Sequence, residues 1–127
     1  MSNGGPRIGV DLVDCARIRR VIDRHDEGFL NRVFTDLERA WCEKAADPVP
    51  HFAARFAAKE AVAKALGTGI GASAAWRDIE VTRESGAAPE IRLHGAAAAT
   101  AQALGVRSIR VSLSHTADQA IAMVMLD

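Results

Sequence analysis

The chain has 127 residues, 49% hydrophobic and 25% charged, and its 16 basic and 16 acidic residues leave no net charge. These values suit one globular domain with a real core and give no overall electrostatic reason to bind nucleic acid. No apolar run approaches the roughly 20 residues that a bilayer crossing needs. Residues 1–6 read as a loose leader without a signal-peptide core. Cys15 and Cys42 make no disulfide framework and are expected to be reduced, partly buried thiols of a cytoplasmic protein.

In chain order, Ile8, Val10 and Leu12 alternate with Gly9, Asp11 and Val13, which predicts a strand with one apolar face. Residues 14–24 predict a helix with Arg17, Arg19, Arg20 and Arg24 around Ile18, Val21 and Ile22. Phe29, Leu30 and Val33 fit a short helical segment. Thr35 with Glu38 three positions on is a capping-box pattern that starts a helix reaching about Ala45, and Pro48 and Pro50 break the chain after it.

From His51 to Leu66 the helical pattern is the strongest in the sequence. Ala54, Ala57, Ala58, Ala61 and Ala65 fall in one narrow stripe, and methyl groups there allow close approach of a neighbour. The other side mixes Phe52, Phe56 and Ala63 with Lys59 and Glu60. Gly67, Gly69 and Gly71 end the helix. Strands are expected at 78–83 and 89–94, a helix at 96–104, and strands at 109–114 and 119–126. The class is α+β with a mainly antiparallel sheet and one long helix.

Four features carry candidate chemistry. Glu60 and Lys64 share a helix face. Alone they read as a surface ion pair, but charges set in an apolar wall need partners and often have tasks. Asp11 lies in the middle of an apolar strand, either as a solvent-facing residue of an edge strand or as a metal ligand. Asp11 and Glu60 would suit Mg²⁺, which binds one or two carboxylates and completes its shell with water and substrate phosphates. His115, in Ser112–Thr116 at a strand end, is a candidate for phosphate binding or proton transfer. Gly67-Thr68-Gly69-Ile70-Gly71 is either a helix stop or a backbone that approaches phosphate closely, although it is no P-loop. His25, His51 and His94 have no metal-ligand spacing and read as surface residues. Together the set fits a phosphate-rich ligand.

Gly9-Val10-Asp11-Leu12-Val13, the block from Arg55 to Ile70, Asp78-Ile79-Glu80-Val81 and Ser112-Leu113-Ser114-His115-Thr116 closely resemble the holo-[acyl-carrier-protein] synthase family, the small bacterial 4′-phosphopantetheinyl transferases. The resemblance runs from about Arg7 to Leu126. It implies the fold of that family and transfer of phosphopantetheine from coenzyme A to a carrier-protein serine, releasing adenosine 3′,5′-bisphosphate, within cytoplasmic fatty acid and lipid biosynthesis. By the same resemblance Asp11 and Glu60 match the Mg²⁺ ligands, and Lys64 matches the lysine beside the pyrophosphate. Arg55, Lys59, Gly67, Thr68, Gly69, His115 and Thr116 match positions lining the coenzyme A site. Arg17 matches a residue that meets the acidic helix of the acyl carrier protein. The family's small members are homotrimers with sites shared between chains. Asp14 stands where the family often has Glu, so its shorter reach leaves it outside the expected ligand set.

The resemblance leaves the acceptor of the serine proton open among Glu60, a water on the metal and His115, with Glu60 favoured. A module that binds coenzyme A or a carrier without catalysis would not need Asp11, Glu60 and Lys64 together. A nucleic-acid binder using the arginine helix is disfavoured by the zero net charge and 5% aromatic content.

Overall fold

A computed structural model describes Gly5–His25 and Glu27–Asp127. The expected leader thus falls mostly outside the described residues. The elements are β1 (Arg7–Asp14), α1 (Cys15–His25), α2 (Glu27–Val33), α3 (Asp36–Cys42), α4 (Val49–Leu66), a 3-10 turn (Trp76–Asp78), β2 (Ile79–Thr82), β3 (Glu90–Leu93), α5 (Gly95–Ala103), β4 (Ile109–His115) and β5 (Gln119–Leu126). β1, β5 and β4 form an antiparallel sheet in that order, and β2 pairs antiparallel with β3. The expected α+β class with antiparallel pairing holds.

α3 starts where the capping box places it. The Thr35 hydroxyl accepts from the Glu38 amide at 3.3 Å, and the Glu38 carboxylate accepts from the Thr35 amide at 2.8 Å. The helix stops at Cys42 instead of Ala45. There the amides of Lys44 and Ala45 turn to the carbonyls of Trp41 and Cys42, a tighter 3-10-type turn.

α4 runs through the middle of the molecule. Its alanine stripe is buried to the last residue, and it lies across β1 and β5. The approach is so close that a Cβ on Gly9 would collide with the carbonyl oxygen of Ala61 and come within 3.3 Å of the Ala65 methyl. The facing residues of β5 are Ala120, Ala122, Val124 and Leu126, and the first two again are small.

This contact reverses the expected polarity of β1. The period-two pattern is a strand as read, but Ile8, Val10 and Leu12 point away from α4 and are 72%, 53% and 59% exposed. Only Gly9, Asp11 and Val13 fit the narrow space under the helix. The outward face continues through Ile121 and Met123 of β5, paired with Leu12 and Val10.

Gly9→Ala is expected to lower the unfolding free energy by about 1–3 kcal/mol, the usual cost of overpacking, and more if β1 detaches. Urea denaturation of the two proteins measures it.

Candidate functional site

β1 carries Asp11 on the same face as Gly9, so the glycine contact brings the Asp11 carboxylate to the α4 turn that holds Glu60 and Lys64. The Lys64 ammonium donates to Asp11 Oδ1 at 2.8 Å and to the Val10 carbonyl at 3.1 Å. Glu60 is half-buried, and no hydrogen bond or ion pair to it occurs among the described residues. Burial, and then the negative charge of Asp11, raise its pKa above the ordinary glutamate range, with Lys64 and Arg17 opposing. Asp11 lies on an edge strand, as the bland reading had it, but its side chain is turned inward and paired.

The donor set suits a hard divalent cation. Two carboxylates stand together, and that of Glu60 has no partner among the described residues. Among the described residues no third His, Cys, Asp or Glu joins them, which matches the way Mg²⁺ relies on waters and phosphates for the rest of its shell. Asp14 cannot serve from its position. Three residues on from Asp11, it faces the other side of the strand and accepts from the Gln119 amide at 3.2 Å.

Arg17 leaves α1 above this half-site. Its guanidinium lies 5.7 Å from the Phe56 ring, which also stacks on Trp76 at 4.8 Å and meets Phe29 at 6.2 Å. Arg17 is exposed and its charge reaches Glu60.

Lys59 is placed differently from the expectation that it lines a ligand site. It has no exposed surface, and its ammonium is saturated by Glu38 Oε1 at 2.8 Å and the carbonyls of Trp76 and Ile79 at 2.9 and 2.6 Å. Burial lowers its pKa below the ordinary lysine range, and the Glu38 carboxylate opposes the shift. Lys59 therefore ties α4 to α3 and to the start of β2 and has no donor left for a ligand. The glycine loop is corrected in the same sense. Gly67 takes a left-handed conformation, φ 84°, and the amides of Gly67, Thr68 and Gly69 return to the carbonyls of Lys64 and Ala63. They cap α4 instead of presenting free donors to phosphate. Thr116 closes the β4–β5 hairpin, its hydroxyl accepting from the amides of Asp118 and Gln119 at 3.1 Å each.

His115 does not stand beside Glu60 within one chain. It sits edge-on to His51 with ring centroids 4.9 Å apart. His51, read from sequence as a surface residue, is half-buried here, and its position four residues before Arg55 on α4 was the available signal. His94 is exposed, as that reading has it, but it is engaged. Its Nε2 lies 3.0 Å from Glu80, which accepts from the Thr35 hydroxyl at 2.6 Å. Burial raises the Glu80 pKa, but the bonds from Thr35 and His94 outweigh it and hold the carboxyl below its ordinary range. Arg55 is 2% exposed, and its Nε and Nη2 have no partner among the described residues. It lies 5.9 Å from the Trp41 ring, which lines a cavity of about 470 Å³ whose charged walls are Lys44, Arg83, Glu84, Glu90 and Arg92. That volume lies in the range of small-ligand sites.

The model of the 4′-phosphopantetheinyl transferase superfamily matches residues 7–124. The chain belongs to this superfamily. Within it, a holo-[acyl-carrier-protein] synthase of Koribacter versatilis is 46% identical over 119 residues, covering 94% of this chain and 95% of the relative. Among solved structures, the holo-[acyl-carrier-protein] synthase of Neisseria meningitidis superposes with a TM-score of 0.87 at 33% identity, covering 95% of this chain and 97% of that one. The Helicobacter pylori synthase, crystallised in complex with coenzyme A, gives 0.84 at 34% identity, covering 94% and 99%.

Lys59→Met is expected to cost about 3–5 kcal/mol by leaving Glu38 charged, buried and unpaired. Adding Glu38→Leu recovers most of the Coulombic part, and a double-mutant cycle by denaturant unfolding separates the two.

Proposed function

We propose that this chain transfers the 4′-phosphopantetheine arm of coenzyme A to a serine of an apo acyl carrier protein, giving holo carrier and adenosine 3′,5′-bisphosphate. The observation that carries the reading is the meeting of Asp11, Glu60 and Lys64 where β1 crosses α4. The curated relatives named holo-[acyl-carrier-protein] synthase and the coenzyme A complex of the Helicobacter pylori protein support it. A module that only binds coenzyme A or a carrier has no need of that trio, and turnover separates the two readings.

Asp11 and Glu60 would hold Mg²⁺ beside the donor's pyrophosphate. When bound, the ion offsets negative charge on the pyrophosphate and polarises the reacting phosphorus. Lys64 supplies a second positive charge at the same place, ready to meet the charge that develops on the leaving bisphosphate. The serine oxygen forms its bond to the phosphorus that bears pantetheine. The bond from that phosphorus to the bridging oxygen breaks, and the bisphosphate departs with it. Glu60 takes the serine proton, directly or through water. Arg17, exposed beside Glu60, offers its charge to an acidic carrier helix, an attraction that salt weakens.

The coenzyme A site is completed by Arg55, His115 and Thr116, with Gly67, Thr68 and Gly69 contributing surface rather than amide donors. A homotrimer supports this division of labour. One chain keeps His115 against His51, away from the turn of Glu60 and Lys64, so a neighbouring copy can complete the site. The outward face of Ile8, Val10, Leu12, Ile121 and Met123 is the apolar surface such copies would cover. A cytoplasmic setting suits the two unpaired, buried thiols, Cys15 and Cys42, the latter pushed up to about 12 by burial.

Incubation with coenzyme A, Mg²⁺ and a panel of apo carriers is expected to add one phosphopantetheine to a carrier, read by mass spectrometry. Failure with every carrier would refute the reading. Glu60→Gln is expected to melt within a few degrees of the parent and to lose at least about a hundredfold in turnover. Val10→Asp is expected to shift the protein to a monomer in sedimentation and to lose activity with it. A fully active monomer would rule out a shared site.

A further inference from the structure

Lys64 reaches from α4 to a seat on β1 that has two acceptors. Its ammonium donates to Asp11 Oδ1 at 2.8 Å and to the Val10 carbonyl at 3.1 Å. Both acceptors are held in place by the fold, the carbonyl on a strand paired with β5 and Asp11 by the contact of Gly9 with Ala61. The lysine side chain is 53% exposed, while that of Asp11 is only 17% exposed. A lysine so open to water gives up rotamer freedom to stay bonded. Glu60 stands one turn before Lys64 on α4, in the order that favours a helical Glu–Lys pair. The ammonium nevertheless goes to Asp11. One of the two carboxylate charges of the half-site is thus neutralised by the chain itself.

We infer that Lys64 closes the metal half-site against a lone cation, and that the donor's pyrophosphate opens it by drawing the ammonium off Asp11. This rests on the transferase reading above. The pair is partly desolvated on the carboxylate side, so solvent screens it less than it screens an exposed pair. A divalent ion approaching Asp11 and Glu60 meets a like charge already bonded to one of them, and the repulsion is strong at such short range. A lone cation must therefore displace a bond and tolerate the displaced charge. A pyrophosphate reverses that balance, because it offers the ammonium charged acceptors and the cation further oxygen ligands. Metal and donor then enter as a pair, each raising the affinity for the other by the same factor. A lysine whose only task was to meet the pyrophosphate would need no seat on Asp11.

The test titrates the chain with Mn²⁺ and reads the unbound ion by electron paramagnetic resonance, with no carrier present and no turnover. Lys64→Met keeps most of the stem and removes the charge, and Lys64→Arg keeps the charge. Without coenzyme A, Lys64→Met is expected to bind Mn²⁺ about tenfold more tightly than the parent, and Lys64→Arg within about twofold of it. The factor by which saturating coenzyme A tightens Mn²⁺ binding is expected to shrink about tenfold in Lys64→Met. Adding Asp11→Asn to Lys64→Met is expected to abolish the gain, which locates the ion at the half-site. Equal or weaker Mn²⁺ binding by a folded Lys64→Met, or a gain that survives Asp11→Asn, overturns the inference. Should Lys64→Met not fold, Lys64→Gln, which can still donate to Asp11 without a charge, is read by the same outcomes. No transfer to any apo carrier by the parent overturns the transferase reading instead.

Discussion

The α4 backbone lies very close to that of β1, at Ala61 and Gly9. A helix normally keeps its distance from a sheet because side chains stand between them. Here the separation is set by methyl groups on α4 and by a missing Cβ on β1, so the two backbones nearly touch. That single spacing fixes where Asp11, two residues along the strand, meets Glu60 and Lys64. It also decides which face of β1 can look inward, because nothing larger than Gly9 fits under Ala61. The site and the exposed apolar face are two results of one steric constraint.

A second anchor stands on the other side of α4. Lys59 and Glu38 form a fully buried ion pair whose remaining bonding capacity is taken up by backbone groups at Thr35, Trp76, Ile79 and Val81. Glu38 thus caps α3, neutralises Lys59 and receives the Val81 amide. Buried pairs of this kind contribute little net stability but punish the loss of either member. Their effect is positional, since α4 is locked in rotation by Lys59 on one side and by Gly9 on the other. Adjacent residues of α4 are therefore placed oppositely: Lys59 is paired and fully buried, and Glu60 stands half-buried beside Asp11 and Lys64.

Much of this was legible in one dimension. The alanine stripe announced a helix that packs closely, the capping box placed the start of α3, and residues 55–70 carried the family resemblance, with Glu60 and Lys64 a helical turn apart. These are local properties, governed by periodicity and hydrogen bonding over a few residues. Three matters were decided only by the tertiary structure. The inward face of β1 could not be read from alternation, because alternation gives two faces without saying which one meets a helix. Lys59 looked like Lys64, since both are lysines on one helix, until Glu38, distant in sequence, arrived to bury one and leave the other exposed. The glycine loop looked free until its amides were found bonded to the last carbonyls of α4. The sequence alone determined the elements and the kinds of chemistry available, because those follow from neighbours along the chain. The tertiary structure decided which side chains remain free to act, because that depends on partners brought from far away.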